Sequence, residues 1–290
     1  MKLITLNTHS LEEPEYERKL ELLAQVIIKE QPDVIALQEV NQTITRSVAT
    51  VGRELGYLPC EGARIPLKED NYALGLARLL RESGCRYWWT WAPAKVGYEI
   101  YEEGLAVFSR WPVERNRQFF ISQSHDHYNW KTRKMVGIKA ANMWFYSVHM
   151  GWWDDEEEPF ARHWDRAVEE MRAHMTPKET VWVMGDFNSP AGIPGEGWDY
   201  VRASGWWDTY DLAGVRDGGI TVGRVIDGWR QRLPGAEKTG VICPGRLGMR
   251  IDYIWCNREM DIDKSEVICN GINYEVVSDH YGVMITQKER

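Results

Sequence analysis

Positive charge is in short supply. The 35 lysines and arginines are outnumbered by 43 aspartates and glutamates, a formal net charge of −8 over 290 residues. Proteins that hold nucleic acid gain much of their affinity by neutralising phosphates with a basic face, so the composition speaks against a nucleic-acid substrate. The run Asp154-Asp155-Glu156-Glu157-Glu158 would repel a polyanion, and it also reads as the solvated start of a helix. Cysteine is sparse: Cys60, Cys85, Cys243, Cys256 and Cys269 are odd in number and lack C-x-x-C spacing. That argues against a zinc cluster and fits reduced thiols in the cytoplasm. No stretch approaches the ~18 apolar residues of a membrane helix, and the segment from Met1 to Asn7 has too short an apolar run for a signal peptide. No membrane partner is expected. Low-complexity linkers and repeats are missing too, so one domain over residues 1–290 is expected.

Tryptophan, by contrast, is abundant, with 15 residues and doublets at Trp88-Trp89, Trp152-Trp153 and Trp206-Trp207. Such rings fill a core or line a groove that stacks on flat faces such as sugars or bases. The segment from Lys2 to Asn7 alternates like a strand. Pro14 opens a helical pattern with Leu20, Leu23 and Ile27 on one face, ending before Pro32. A strand is expected from Asp33 to Val40 and a helix from Tyr72 to Glu82. Strands follow at 87–91, 104–109, 113–121, 135–140 and 143–149, a helix at 157–175, and strands at 180–185, 250–256, 265–269 and 281–286. Strands outnumber helices along the whole chain, which predicts a layered α/β arrangement of two sheets with outer helices. Residues 192–248, rich in Gly and Pro, read as long loops of the kind that contact substrates.

Polar residues recur at the ends of apolar runs. Glu39 follows one such run and can hold a hard cation through oxygen, or be a surface glutamate. Gly185-Asp186-Phe187-Asn188 follows another; Asp186 and Asn188 can orient and deprotonate a water, or form an Asx turn stopped by Pro190. His280, in Ser278-Asp279-His280, is a candidate general base or charge stabiliser, or a structural hydrogen-bonding group. Asp252 sits inside an apolar run, where a buried carboxylate needs a partner that a histidine would supply. The same logic couples Glu103 with His149.

The ordered segments LNTHS (6–10), IALQEV (35–40), EEGLAVFSR (102–110), YSVHMG (146–151), VMGDFNSP (183–190), MRIDYIW (249–255) and VVSDHYG (276–282) resemble the endonuclease/exonuclease/phosphatase (DNase I-like) superfamily over nearly the whole chain. The resemblance implies a four-layered α/β/β/α sandwich and a Mg²⁺-dependent phosphoesterase, with Mn²⁺ also able to use oxygen ligands. It implies Glu39 as principal metal ligand with Asn7 beside it and Asp279 as a possible second ligand. Asp186 and Asn188 would position the attacking water, His280 held by Asp252 would be the catalytic histidine, and Glu103 with His149 a second acid–histidine pair. Arg133 falls where some branches bind phosphate, or is simply solvated.

Departures from the pattern narrow the field. His9 stands where apurinic-site nucleases carry Asp, and Met249-Arg250-Ile251-Asp252-Tyr253 lacks the Pro-x-Trp-Cys-Asp-Arg run of inositol phosphatases. Segments including Gln38-Glu39-Val40-Asn41-Gln42, Asp70-Asn71-Tyr72 and Ile226-Asp227-Gly228-Trp229 resemble the bacterial maltose 6'-phosphate phosphatases. That similarity implies a small phosphorylated carbohydrate as substrate, with Asn71, Asp227 and Trp229 as candidate contacts; the Asp227-Gly228-Trp229 run reads equally as a tight turn. A nuclease or other phosphodiesterase is the alternative, and a catalytically silent binding protein of the same fold is a third reading.

Overall fold

A computed structural model describes residues 1–223 and 248–288. Two mixed sheets form its centre. The first contains, in spatial order, β10 (Val215–Arg216), β12 (Ile262–Ile268), β13 (Gly282–Gln287), β1 (Lys2–Asn7), β2 (Val34–Thr43), β4 (Tyr101–Ser109) and β3 (Trp88–Gly97). The second runs β5 (Val113–Phe120), β6 (Lys134–Ala140), β7 (Met143–His149), β8 (Thr180–Asp186), β11 (Asp252–Cys256) and β9 (Trp207–Asp208).

Side chains alternate across each strand, and this period builds the layers. Leu3, Val34, Ala36, Val107, Val283 and Ile285 of the first sheet meet Ile138, Phe145, Trp182, Met184, Ile254 and Cys256 of the second in a buried cluster between the sheets. The opposite residues of the first sheet, among them Ile4, Leu6, Ile35, Leu37, Trp89 and Phe108, pack under helices α1 (Tyr16–Glu30) and α2 (Tyr72–Glu82). Trp144, Tyr146, Val181, Val183 and Trp255 pack under α3 (Phe160–His174) and α4 (Gly197–Ala203). The result is the expected α/β/β/α sandwich. Part of the tryptophan surplus is core: Trp89, Trp91, Trp144, Trp164, Trp182 and Trp255 are fully buried.

Helix α1 puts Leu20, Leu23, Ala24 and Ile27 on one buried face. It stops at Gln31, whose left-handed backbone returns its N–H to Ile27 O just before Pro32. Between residues 192 and 223 the chain is not the long loop expected. It forms α4, β9, α5 (Thr209–Leu212) and β10, because Trp206 and Val201 have an apolar face to cover and Asp208 caps Tyr210 N–H. The acidic run is also more than a solvated helix start. Asp155 accepts the N–H groups of Glu157 and Glu158, and Glu158 is buried, accepting from Gln123 N and Ser124 N. No helix among the described residues is long and apolar enough to cross a membrane.

Candidate active site

The inter-sheet seam changes chemistry along its length. On β1 the inward series is Leu3, Thr5, Asn7; on β7 it is Phe145, Ser147, His149; on β8, Trp182, Met184, Asp186; on β11, read backwards, Cys256, Ile254, Asp252; and on β4, Val107, Leu105, Glu103. Each series runs from hydrocarbon to a titratable or amide group. Gln38 crosses the seam at the change, its Nε2 lying 2.8 Å from Ser147 Oγ and 3.2 Å from Thr5 Oγ1. Five strands thereby deliver their polar ends to one edge of the sandwich.

Glu39 arrives there by a different route. Strict alternation would turn it away from Gln38's side. β2 instead carries one extra residue between Leu37 and Val40 relative to β4, and Glu39 takes a left-handed φ of 51°. Far from ending the strand, as the sequence suggests, it sits on a bulge in mid-strand. Asn7 Nδ2 donates to Glu39 Oε1 at 2.8 Å and lies 3.1 Å from Asp186 Oδ2. Gly185 is required before Asp186: its φ is 149°, and a Cβ there would lie 1.9 Å from Val148 O. Asn188 folds back so that its N–H donates to Asp186 Oδ1 at 2.8 Å and its Nδ2 to Met150 O at 2.9 Å.

His280 Nδ1 lies 3.0 Å from Asp252 Oδ2 and its Nε2 3.7 Å from Asp186 Oδ2. Ser278 Oγ, which bonds Asn7 O at 2.8 Å and receives His280 N–H at 3.2 Å, ties this loop to β1. His149 Nε2 lies 3.6 Å from Asp186 Oδ2, and its Nδ1 is 3.8 Å from both Glu39 Oε1 and Glu103 Oε1. Glu103 and His149 therefore share the site but are not hydrogen-bonded as expected. Glu103 faces the ammonium of Lys95 at 3.3 Å instead.

Burial works against a charged His280, but Asp252 and Asp186 outweigh it and lift the imidazole to about 10. His149 goes the other way: burial, with Arg133 and Lys95 close by, holds it well below the ordinary value and keeps it neutral. Burial and the neighbouring Glu103 push Glu39 up to about 7, and burial raises Asp186 to about 6 although His280 pulls it down. Burial is the largest cause of both shifts, and the neighbouring carboxylates of Glu103 and Asp252 add to it, so negative charge is crowded in this site. The site offers oxygen donors and no thiol, and so fits a hard divalent cation. Among the described residues, ligand-type groups gather within 4.8 Å at Asp186, Asp252 and His280, and again at His9, Glu13 and Asp279. Asp279 belongs to the second cluster, and its charge also acts on Glu39. In the first cluster a protonated imidazole engaged by Asp252 has no lone pair for a metal, which leaves Glu39 and Asn7 as the better oxygen donors.

The remaining predicted contacts fare differently. Arg133 is buried, donates Nη1 to Trp130 O at 2.9 Å, and keeps a buried Nε without a partner. Asn71 caps α2, accepting Leu74 N–H at 3.1 Å and donating to Gln42 Oε1 at 3.1 Å, so both ends of its amide serve the fold and not a substrate. Asp227 and Trp229 lie outside the described residues. Lys95 was not predicted. Pro93 signals the end of a strand, yet β3 runs on through a bulge between Pro93 and Lys95 that brings the lysine opposite Glu103. A cation in register with an acidic strand end is a signal only once that pairing is known.

The model of the endonuclease/exonuclease/phosphatase family matches residues 4–280. No curated protein sequence matches the chain. Among solved structures, an endonuclease/exonuclease/phosphatase family protein from Leptotrichia buccalis C-1013-b is 28% identical, covers 100% of both chains and superposes with a TM-score of 0.83. A mannosyl-6-phosphatase from Bacteroides thetaiotaomicron VPI-5482 is similar at 13% identity, TM-score 0.63, with 100% of each chain covered. A 3'-5' exonuclease from Neisseria meningitidis is similar at 18% identity, TM-score 0.61, again with 100% of each covered.

Proposed function

The chain belongs to the endonuclease/exonuclease/phosphatase family, and from that premise we propose that it is a metal-dependent phosphatase acting on a small phosphorylated carbohydrate, of the maltose 6'-phosphate kind. The observation that carries the phosphoester chemistry is the convergence of Glu39, Asp186, Asp252, His149 and His280 within direct reach of one another. A phosphatase and an exonuclease share this fold, so the fold does not choose the substrate. Charge favours the small one: a net charge of −8 suits a single phosphate that one cation neutralises, not a long polyanion.

A divalent cation held by Glu39 and Asn7 would supply electrostatic stabilisation of phosphoryl oxygens. The chain's own groups do the rest. Asp186, raised to about 6 and fixed by Asn188 N–H, accepts a proton from the attacking water. Asn188 donates its amide N–H to Met150 O, which leaves its carbonyl to orient that water. His280, positively charged against Asp252, faces charge developing on phosphorus-bound oxygen, and neutral His149 donates a hydrogen bond there. Location in the cytoplasm goes with this reading.

The test is a side-by-side assay of p-nitrophenyl phosphate, a panel of sugar phosphates and plasmid DNA, each with Mg²⁺, with Mn²⁺ and with chelator. Metal-dependent phosphate release from a sugar phosphate, without nicking, is the expected result. Nicking without phosphate release replaces the phosphatase by a nuclease. Silence on every ester leaves a binding protein.

A further inference from the structure

Lys95 is the cation that the family-level reading leaves without a task. It is buried, with 8% of its surface exposed, at the site edge of β3. Ala92 faces inward opposite Leu105, so regular alternation would turn the odd-numbered Lys95 outward. The extra residue between Pro93 and Lys95 reverses that phase and sets Lys95 opposite Glu103, on the inner face. One carboxylate, Glu103 Oε1 at 3.3 Å, faces its ammonium, which has three N–H groups to give. Two further nitrogens are buried and lack a hydrogen-bond partner: Arg133 Nε, a donor, and His149 Nδ1, which lies 3.8 Å from Glu39 Oε1 and Glu103 Oε1. A buried donor without an acceptor is costly, and the guanidinium of Arg133 with the incompletely engaged ammonium of Lys95, both beside these acids, asks for an oxyanion.

Resting on the phosphatase reading, we propose that Lys95 is the specificity-determining residue of this site: it binds the additional terminal oxygen that a phosphate monoester carries and a diester lacks. Glu103 holds the ammonium in place, and Arg133 adds the second positive charge facing a dianion. The metal-ligand side of the site, around Glu39 and Asn7, treats both ester types alike. Discrimination therefore falls to the β3–β4 side.

Lys95→Gln and Lys95→Arg are compared with the unsubstituted protein on p-nitrophenyl phosphate and bis(p-nitrophenyl) phosphate with Mg²⁺. Inorganic phosphate is titrated as an inhibitor of each reaction, and folding is checked by circular dichroism. A charged hydrogen bond lost from the monoester alone predicts a drop of about 10- to 100-fold in its kcat/KM for Lys95→Gln. The expected diester rate stays within about 3-fold, the inhibition constant for phosphate rises in parallel with the monoester loss, and Lys95→Arg recovers part of the preference. Equal losses on both esters, or an unchanged phosphate inhibition constant, overturn the assignment. If Lys95→Gln does not fold, Lys95→Arg decides: unchanged monoester preference together with unchanged phosphate inhibition sinks the idea. Should the unsubstituted protein cleave only the diester, the phosphatase reading fails. Phosphate inhibition of that diester reaction then still reports whether Lys95 binds a phosphate dianion.

Discussion

Carboxylates that crowd one another when buried cost a fold stability, and Glu39 is the clearest case. Its carboxyl is raised to about 7, with burial and Glu103 as the main causes. The ionised form is the disfavoured one, so the folded protein loses stability as pH climbs from the ordinary carboxylate range through about 7. Glu39→Gln keeps the shape and the hydrogen bond from Asn7 Nδ2 but removes the charge. In chelator at pH 8 this variant should melt higher than the parent, by about 2 °C for each kcal/mol relieved in a protein of this size, while turnover falls at least ~100-fold. A lower melting temperature together with lost activity would mean that Glu39 is structural. The stability–activity opposition is what separates a functional acid from a merely tolerated one.

Among elements, the β7–β8 pair carries the sharpest geometric demand. Val148 lies beside Gly185, and a methyl at Gly185 meets Val148 O at 1.9 Å in a backbone region that L-residues avoid. Gly185→Ala should cost more than about 3 kcal/mol, read as a collapsed urea midpoint. The control is Gly192→Ala, where φ is 80° but nothing lies within 4 Å; strain alone should cost about 1 kcal/mol there. Equal costs at the two positions would remove the close-approach argument.

The loop after β7 is braced by α3. His163 Nδ1 accepts Gly151 N–H at 3.3 Å, and its Nε2 lies 3.1 Å from Glu158 Oε2. Burial and Arg133 lower this imidazole from its ordinary 6.5 to about 4, although Glu158 pulls it up. A folded value below the unfolded one means that the unfolded chain takes the proton first. Stability should hold above pH 6.5 and fall as pH drops toward 4, by an amount on the order of 3 kcal/mol from this group. His163→Gln should flatten that part of the urea-midpoint profile; an unchanged slope assigns the acid sensitivity elsewhere.

At the scale of the whole molecule, a site assembled from strands of both sheets makes binding and folding one event. A cation that binds only the folded chain stabilises it by about 2.7 kcal/mol at a hundredfold excess over its dissociation constant. Mg²⁺ should therefore raise the melting temperature of the parent and leave Glu39→Gln nearly unmoved. A rise of equal size in both proteins would place the cation away from Glu39.

Much of this molecule was legible beforehand because its chemistry lies on strands. Alternation marked β1, apolar runs marked β7, β8 and β11, and a polar residue closing an apolar run placed Asn7, His149 and Asp186 at one edge. Asp252 needed a partner, and His280 is that partner. What escaped were the features that break the period. Pro93 hid the length of β3 and with it Lys95, and Gly and Pro hid α4 and α5 between residues 192 and 216. Asn71 looked like a ligand because a capping amide and a binding amide are spelled the same way; only its position before α2 distinguishes them.

The bulge on β2 also says what the strand would be without its acid. Leu37 pairs with Ala106 and Val40 with Gly104, so two residues oppose one. Excising Glu39 would restore an unbroken ladder, with Gln38 still facing in and Val40 still facing out. Glu39 is thus the extra residue in a ladder that would close without it. A one-codon deletion of Glu39 should therefore leave a well-formed but inert sandwich, with Asn41 still opposite Glu103.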